Sequence, residues 1–561
     1  MLSSQGGRTA WWLAGLAAAL WLAAGGAAGA ATASPAARAP ARASSSPASS
    51  STPGSGSTPG SGSSPSSRSS PGSGSWTVYH GDPAGHGLAT APGTVDTAAQ
   101  TWATPALDGQ IYGEPLVSAG RIYVATENDT VYALFTGTGK VAWSRHLATP
   151  VPASSLPCGD ITPGVGITGT PVIDPARGEI FVVADEEVHG HPAHVLAGLS
   201  TATGRVEMTR DVDPPGADTA ALLQRTGLNL AGGRVVFGFG GNDGDCATYR
   251  GRVVSVPETG GTPAMFTVDG KPGQSQGAVW MGGGAPAVDD ASHVWVSVGN
   301  GSVYKASRGY DDSDSVLDLT PSMKLLQYFA PASWASDNAH DLDLSAEPAL
   351  LPGGQVLIAG KSAIPYLLSG AHLGGIGGQL ASAAPVCGAN IDGGTAVTGA
   401  TVYLPCVGGI AAVRVTASPP GVRLLWNSRT GGGPPIVAGG LVWTISQGGW
   451  LYGLDAGTGQ VRRQAPIGTG ANHFPTPSVG AGLLLAPAGN RVVAFRIGHY
   501  GTSPAPSGPA PSVHTTHIIQ GSGVAPAAGL SGGAVAGIVV ASLVVLSGIG
   551  WLVWRRVPNR P

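Results

Sequence analysis

The stretch Val131-Tyr-Ala-Leu-Phe-Thr-Gly-Thr-Gly-Lys-Val141 aligns without a gap on Leu451-Tyr-Gly-Leu-Asp-Ala-Gly-Thr-Gly-Gln-Val461. Tyr, Leu, Gly-Thr-Gly and Val recur at matching places, which is the signature of an internal repeat. Ahead of each copy stands a second apolar, β-branched run opened by glycine, Gly120-Arg-Ile-Tyr-Val-Ala125 and Gly440-Leu-Val-Trp-Thr-Ile445. Apolar alternation broken by turn residues predicts strand, turn, strand, turn, strand. No long helical period competes with that pattern.

The opening run recurs at Gly178-Glu-Ile-Phe-Val-Val183, Gly233-Arg-Val-Val-Phe237, His293-Val-Trp-Val-Ser-Val298, Gly354-Gln-Val-Leu-Ile358, Gly399-Ala-Thr-Val-Tyr-Leu404 and Gly482-Leu-Leu-Leu-Ala486. Together these predict an all-β, eight-bladed β-propeller, with seven blades as the alternative count and an open stack of repeats as the competing architecture. The unit at Gly482 reaches Arg491-Val-Val-Ala-Phe-Arg496 and stops before an outer strand, whereas Gln100-Thr-Trp-Ala-Thr104 stands as a spare strand ahead of the first unit. Pairing the two would close the ring.

Outward from the repeats, residues 76–498 form the propeller and both ends change character. Arg8, an apolar run from Trp11 and the small residues Ala28-Gly29-Ala30 predict a signal peptide over 1–33, with an uncleaved anchor as its alternative. A Ser/Pro/Gly-rich linker over 34–75 has little to bury and stays disordered. A second such linker covers 499–533. Residues 534–554 are then uncharged and long enough for a transmembrane helix, with Trp551 and Trp554 at an aromatic belt and Arg555, Arg556 and Arg560 in a cytoplasmic tail over 555–561. The expected arrangement is a single-pass protein of the cell membrane with an extracellular propeller. Charged residues supply only 11% of the chain and net charge is −3, so no positive field exists to hold phosphate backbones and nucleic acid is excluded as a partner.

The pattern Tyr-Ala-Leu-x-x-x-Thr-Gly-x-Val-x-Trp at Tyr132 to Trp143 resembles the repeat of the pyrroloquinoline-quinone (PQQ) type propellers. That superfamily holds quinoprotein alcohol dehydrogenases together with noncatalytic relatives such as the barrel-assembly lipoprotein. The resemblance implies that a Trp at the end of the outer strand docks between blades. Trp143 and Trp426 match, and Arg463 replaces it in one unit.

Four cysteines in an exported chain predict two disulfides, Cys158–Cys246 between long loops of neighbouring blades and Cys387–Cys406 across one strand connection. Chemistry-bearing side chains gather between Gly299 and Lys361. Hard oxygen donors on propeller loops suit calcium, and a carboxylate beside it suits a general base. By resemblance, Asn300 corresponds to a calcium ligand beside the quinone, Asp311 or Asp312 to the catalytic aspartate, Asp337, Asp341 and Asp343 to a conserved acidic segment, and Lys361 to a basic residue touching the quinone. Against this, no adjacent Cys-Cys pair and no Cys-x-x-Cys-His motif is present. Turn capping by Asp and Asn explains the same residues without a ligand. His189, His191 and His194 are weighed as a surface zinc site against a solvated turn.

No cofactor is therefore assigned, calcium and PQQ remaining candidates. The expected function is a membrane-anchored binding or scaffold module for a protein, peptide or glycan. The alternatives are a quinoprotein dehydrogenase of an alcohol or sugar, and an envelope protein assembly factor.

Overall fold

In most blades the first hairpin reverses within two residues. Ala119-Gly120, Gly232-Gly233, Gly439-Gly440 and Ala481-Gly482 all hold positive φ, the conformation whose twist suits a two-residue β-hairpin. Glycine reaches it without steric cost. The computed structural model describes residues 74–498 apart from 91, 92, 269, 469–471 and 473. The predicted signal peptide, the C-terminal linker and the span at 534–554 lie outside the described residues, as does nearly all of the first linker. Among the described residues no helix is long and apolar enough to cross a membrane.

The first blade consists of Leu116–Ser118, Arg121–Thr126, Thr130–Phe135 and Val141–His146, each antiparallel to the next. Seven further sheets follow over residues 172–211, 222–267, 287–330, 349–382, 396–428, 436–466 and 478–498, so eight blades stand among the described residues. Every opening run singled out in the sequence becomes the second strand of a blade. Their side chains are buried on both faces, as Ile122, Tyr123, Val124 and Ala125 show, because each sheet is covered by a neighbour on either side.

The ring closes as expected. Trp102–Ala103 pairs antiparallel with Ala494 and Val493 of the last blade, and Thr94–Val95 adds a second pairing with Gly498 and Ile497. N-terminal residues thus complete the eighth blade.

Three outer-strand tryptophans then lock neighbouring blades by one device. Trp102 Nε1 donates to Thr136 O (2.8 Å), Trp143 Nε1 to Thr201 O (3.0 Å) and Trp426 Nε1 to Ala456 O (3.1 Å). Each indole lies over a glycine of the next blade's turn, Gly139, Gly204 or Gly459, where a Cβ would collide with the ring. The seventh blade, with Arg463 in place of Trp, moves the indole inward: Trp443 of the second strand is fully buried, and Gly453 opposite leaves room for it.

One structural element has no counterpart in the repeat pattern. Residues 76–89 thread the central channel and bond to inner strands around it. Trp76 exchanges backbone hydrogen bonds with Val117, and Ile173, Val288, Val397 and Val437 donate backbone N–H groups to Thr77, Pro83, His86 and Gly87. Asn229 Nδ2 donates to Pro83 O (2.8 Å) and Trp76 Nε1 to Glu114 Oε1 (3.0 Å). Tyr79 and His80 are buried at its centre. The chain plugs its own axis.

Both predicted disulfides form, Cys158–Cys246 with Cα atoms 6.2 Å apart and Cys387–Cys406 with Cα atoms 6.0 Å apart.

If closure rests on the docked indole, Trp102→Ala lowers the thermal midpoint by a loss on the order of 2–4 kcal/mol, combining cavity and hydrogen-bond terms. Trp450→Ala, at a ring 39% exposed on the surface, changes it by less than about 0.5 kcal/mol. Circular dichroism melts of the two variants make the comparison.

Candidate functional site

The residues that lead into the inner strands converge on the axis, where they enclose a cavity of about 450 Å³. Tyr112, Leu223, Arg225, Trp280, Asp343, Asp392 and Phe474 line it from different blades, and the loops at Asp160 and at 241–245 form its rim. The Cys158–Cys246 bridge ties those two rim loops together. Six carboxylates face this space, from Asp160, Asp243, Asp245, Asp341, Asp343 and Asp392, against the cations Arg225 and Lys361.

Four of the residues expected at a site come together here. Lys361 Nζ lies 2.8 Å from Asp341 Oδ1 and 2.6 Å from Asp343 Oδ2. Asn300 donates its backbone N–H to Asp343 Oδ1 (2.5 Å) and its amide Nδ2 to Asp341 Oδ1 (2.8 Å). Burial pulls the Lys361 ammonium down, but Asp343 and Asp341 outweigh it and hold it above the ordinary lysine value. Burial raises the Asp343 carboxyl in spite of that partner. Asp392 is likewise pushed up by burial; its Oδ1 is buried without a hydrogen-bond donor.

The other expected residues serve the loops. Asp311, fully buried, accepts from Val303 N (3.0 Å) and Ser313 Oγ (2.5 Å). Asp312 holds a positive φ, and its carbonyl accepts from Ser315 Oγ (2.7 Å). Asp337 accepts from Ser333 Oγ (2.7 Å) in the first turn of the short helix Trp334–His340. None of the three lines the cavity. Hydrogen bonding to backbone and to Ser accounts for the Asp311 and Asp337 carboxylates.

The histidines do not converge. His189 occupies the turn between the strands Glu179–Val188 and His191–Ser200, whereas His194 is buried in the second of them with Nδ1 2.6 Å from Asp213 Oδ1 and Nε2 3.4 Å from Asp185 Oδ1. The loop expected after Val188 is thus two residues of turn, because the strands run ten residues each. Among the described residues no group of three or more His, Cys, Asp or Glu side chains is disposed to hold a metal ion.

Three features were outside the reach of pattern reading: Arg225, Trp280 and Asp392. Arg225 is buried, with its guanidinium 5.5 Å from the Tyr112 ring and 5.6 Å from the Phe474 ring, a cation–π arrangement. Lys361 Nζ lies 5.8 Å from the Trp280 ring. A lone Arg, Trp or Asp in a loop carries no local signal.

The side chains present do not fit calcium with PQQ. The place between Asp341 and Asp343 is filled by the Lys361 ammonium, the aspartate matched to the catalytic base is spent on a loop, and a polycarboxylate quinone would face six aspartates.

Comparison with known proteins defines the class. Residues 96–311 match the family model described as outer membrane protein assembly factor BamB. Among solved structures, similarity extends to the quinohemoprotein alcohol dehydrogenase from Comamonas testosteroni (16% identity, 81% of this chain and 83% of that one, TM-score 0.58). It extends also to the quinohemoprotein alcohol dehydrogenase ADHIIG from Pseudomonas putida HK5 (15%, 78% and 82%, TM-score 0.55) and to a europium-containing methanol dehydrogenase (15%, 74% and 90%, TM-score 0.54). No curated protein matches. The family match covers less than half of the chain, and the structural likeness shows the β-propeller fold. At these identities the likeness to the dehydrogenases concerns the fold.

Lys361→Met strips Asp343 of its partner and leaves a buried carboxylate uncompensated, so at neutral pH it destabilises the protein by about 3 kcal/mol. The cost shrinks as pH falls and Asp343 takes a proton, which a set of melts across pH reveals. A second pH effect comes from Glu127 and Asp129, whose carboxyls burial, followed by neighbouring acidic groups including Asp185, pushes up to about 7 and about 10. Native values above the unfolded ones mean that the folded chain holds protons the unfolded chain releases, so their contribution is fully present below about pH 4 and is lost as pH rises through about 7 and then toward 10. Asp129→Asn flattens the fall of the melting midpoint between about pH 5 and pH 9.

Proposed function

We propose that this protein is a membrane-anchored binding module of the cell surface, in which an exported propeller, held by a C-terminal span and spaced by flexible linkers, presents its axial cavity and rim loops to a ligand. The observation that carries this reading is the use of Lys361 to occupy Asp341 and Asp343, the pair of carboxylates that the resemblance would give to a cofactor. The plug of residues 76–89 supports it as well, since it makes the axis a cup with a rigid floor. Rigid loops on a packed scaffold suit recognition. A family match to an assembly factor is in keeping with binding.

Titration of the full-length protein with PQQ and calcium, followed by absorbance and by dye-coupled oxidation of alcohols and sugars, tests this. The expected outcome is no saturable quinone binding and no dye reduction. Turnover that disappears on replacing Asn300 and Asp343 would overturn it.

A further inference from the structure

The charge inside the cup is unbalanced in one direction. Among its lining groups, carboxylates outnumber cations, and both cations are already engaged: Lys361 with Asp341 and Asp343, and Arg225 with the rings of Tyr112 and Phe474. Asp243, Asp245 and Asp392 make no ion pair with either cation. A buried carboxylate oxygen without a donor costs desolvation energy unless something compensates it. Asp392 is in that position: its side chain lines the cavity, the residue is 7% exposed, and Oδ1 has no hydrogen-bond partner. Close by, Asn300 Oδ1 is a second buried acceptor without a donor, on a residue bonded to Asp341 and Asp343. Asn300 does not line the cavity, whereas Asp392 does, and the partner that Asp392 Oδ1 lacks is a donor.

Size narrows its nature. A cavity of about 450 Å³ falls in the range that holds an organic molecule, roughly 300–1,000 Å³. Calcium takes six to eight oxygens, and among the described residues no group of three or more His, Cys, Asp or Glu side chains is disposed to hold a metal ion. The aromatic lining adds a preference of its own, since Trp280, Tyr112 and Phe474 already stand beside positive groups of the protein.

We infer that the cup binds a small organic cation, an ammonium or guanidinium group on an apolar or ring-bearing body, with the charged end donating to Asp392 and the body lying against Trp280. This rests on the binding-module reading and names the ligand class of the same cavity. Lys361 is the internal counterpart of such a ligand, which shows how an ammonium is held here. The carboxylates at Asp243 and Asp245 on the rim are exposed, so they attract the cation without fixing it.

The test uses the detergent-solubilised full-length protein and isothermal titration calorimetry with three isosteric probes, tryptamine, tryptophol and indole-3-acetate. Tryptamine is expected to bind at least about tenfold more tightly than the neutral and anionic probes, as a charge-assisted hydrogen bond in a buried site requires, and to weaken with added salt. Asp392→Asn is expected to remove most of that preference. Asp243→Asn, on the exposed rim and safe for folding, is expected to weaken tryptamine by about twofold through its field alone. Equal or tighter binding of indole-3-acetate or tryptophol overturns the cationic class and leaves the cup as a binding site. Unchanged affinity in a folded Asp392→Asn protein overturns the assignment of Asp392 as the acceptor, and so does displacement of tryptamine by calcium. Failure of the binding-module reading has its own signal, quinone-dependent dye reduction.

Discussion

A blade of this propeller is apolar on both faces, so it is stable only when another blade covers each of them, and the whole arrangement depends on the ring having no first or last member. The pairing of Trp102–Ala103 with Ala494 and Val493 supplies that condition. It takes a strand from the beginning of the chain to finish a sheet begun at the end. The indole of Trp102 then seats on Gly139 in the first blade, so the seam is sealed by the same contact that Trp143 and Trp426 make elsewhere. Closure also removes the exposed sheet edges that would recruit other chains. Only with the ring closed do the segments before the inner strands meet at the axis.

Much of this architecture was legible because it is local and repeated. A glycine at a hairpin followed by apolar, β-branched residues marks the same strand in blade after blade, and the spare Trp strand stands out against a final unit that ends early. Both disulfides followed from which loops lie next to each other once the blade order is known. The resemblance to the quinoprotein repeat carried the fold correctly and the site only in part. Asn300, Asp341, Asp343 and Lys361 do meet, but Asp311 and Asp337 belong to loop and helix capping, which uses the same residue types as a ligand site.

What escaped is what one-dimensional pattern does not encode. The segment 76–89 has no period, since it crosses from blade to blade and takes one or two hydrogen bonds from each. The relocation of an indole from the outer strand to Trp443 is visible only once Gly453 is seen opposite it. Asp392, Trp280 and Arg225 lie far apart in the chain and become neighbours through ring geometry. His194 looked like part of a turn because its partners, Asp185 and Asp213, are distant enough in sequence to hide the buried pairing.

The seam has a mechanical consequence. Arg491–Gly498, which ends the described chain, runs between Leu483–Ala488 on one side and the N-terminal pairings of Thr94–Val95 and Trp102–Ala103 on the other. Tension applied along that strand at Gly498 loads hydrogen bonds of both flanks in shear at once, whereas a terminal edge strand would unzip one bond at a time. A disc pulled at Gly498 holds that strand from both sides at once.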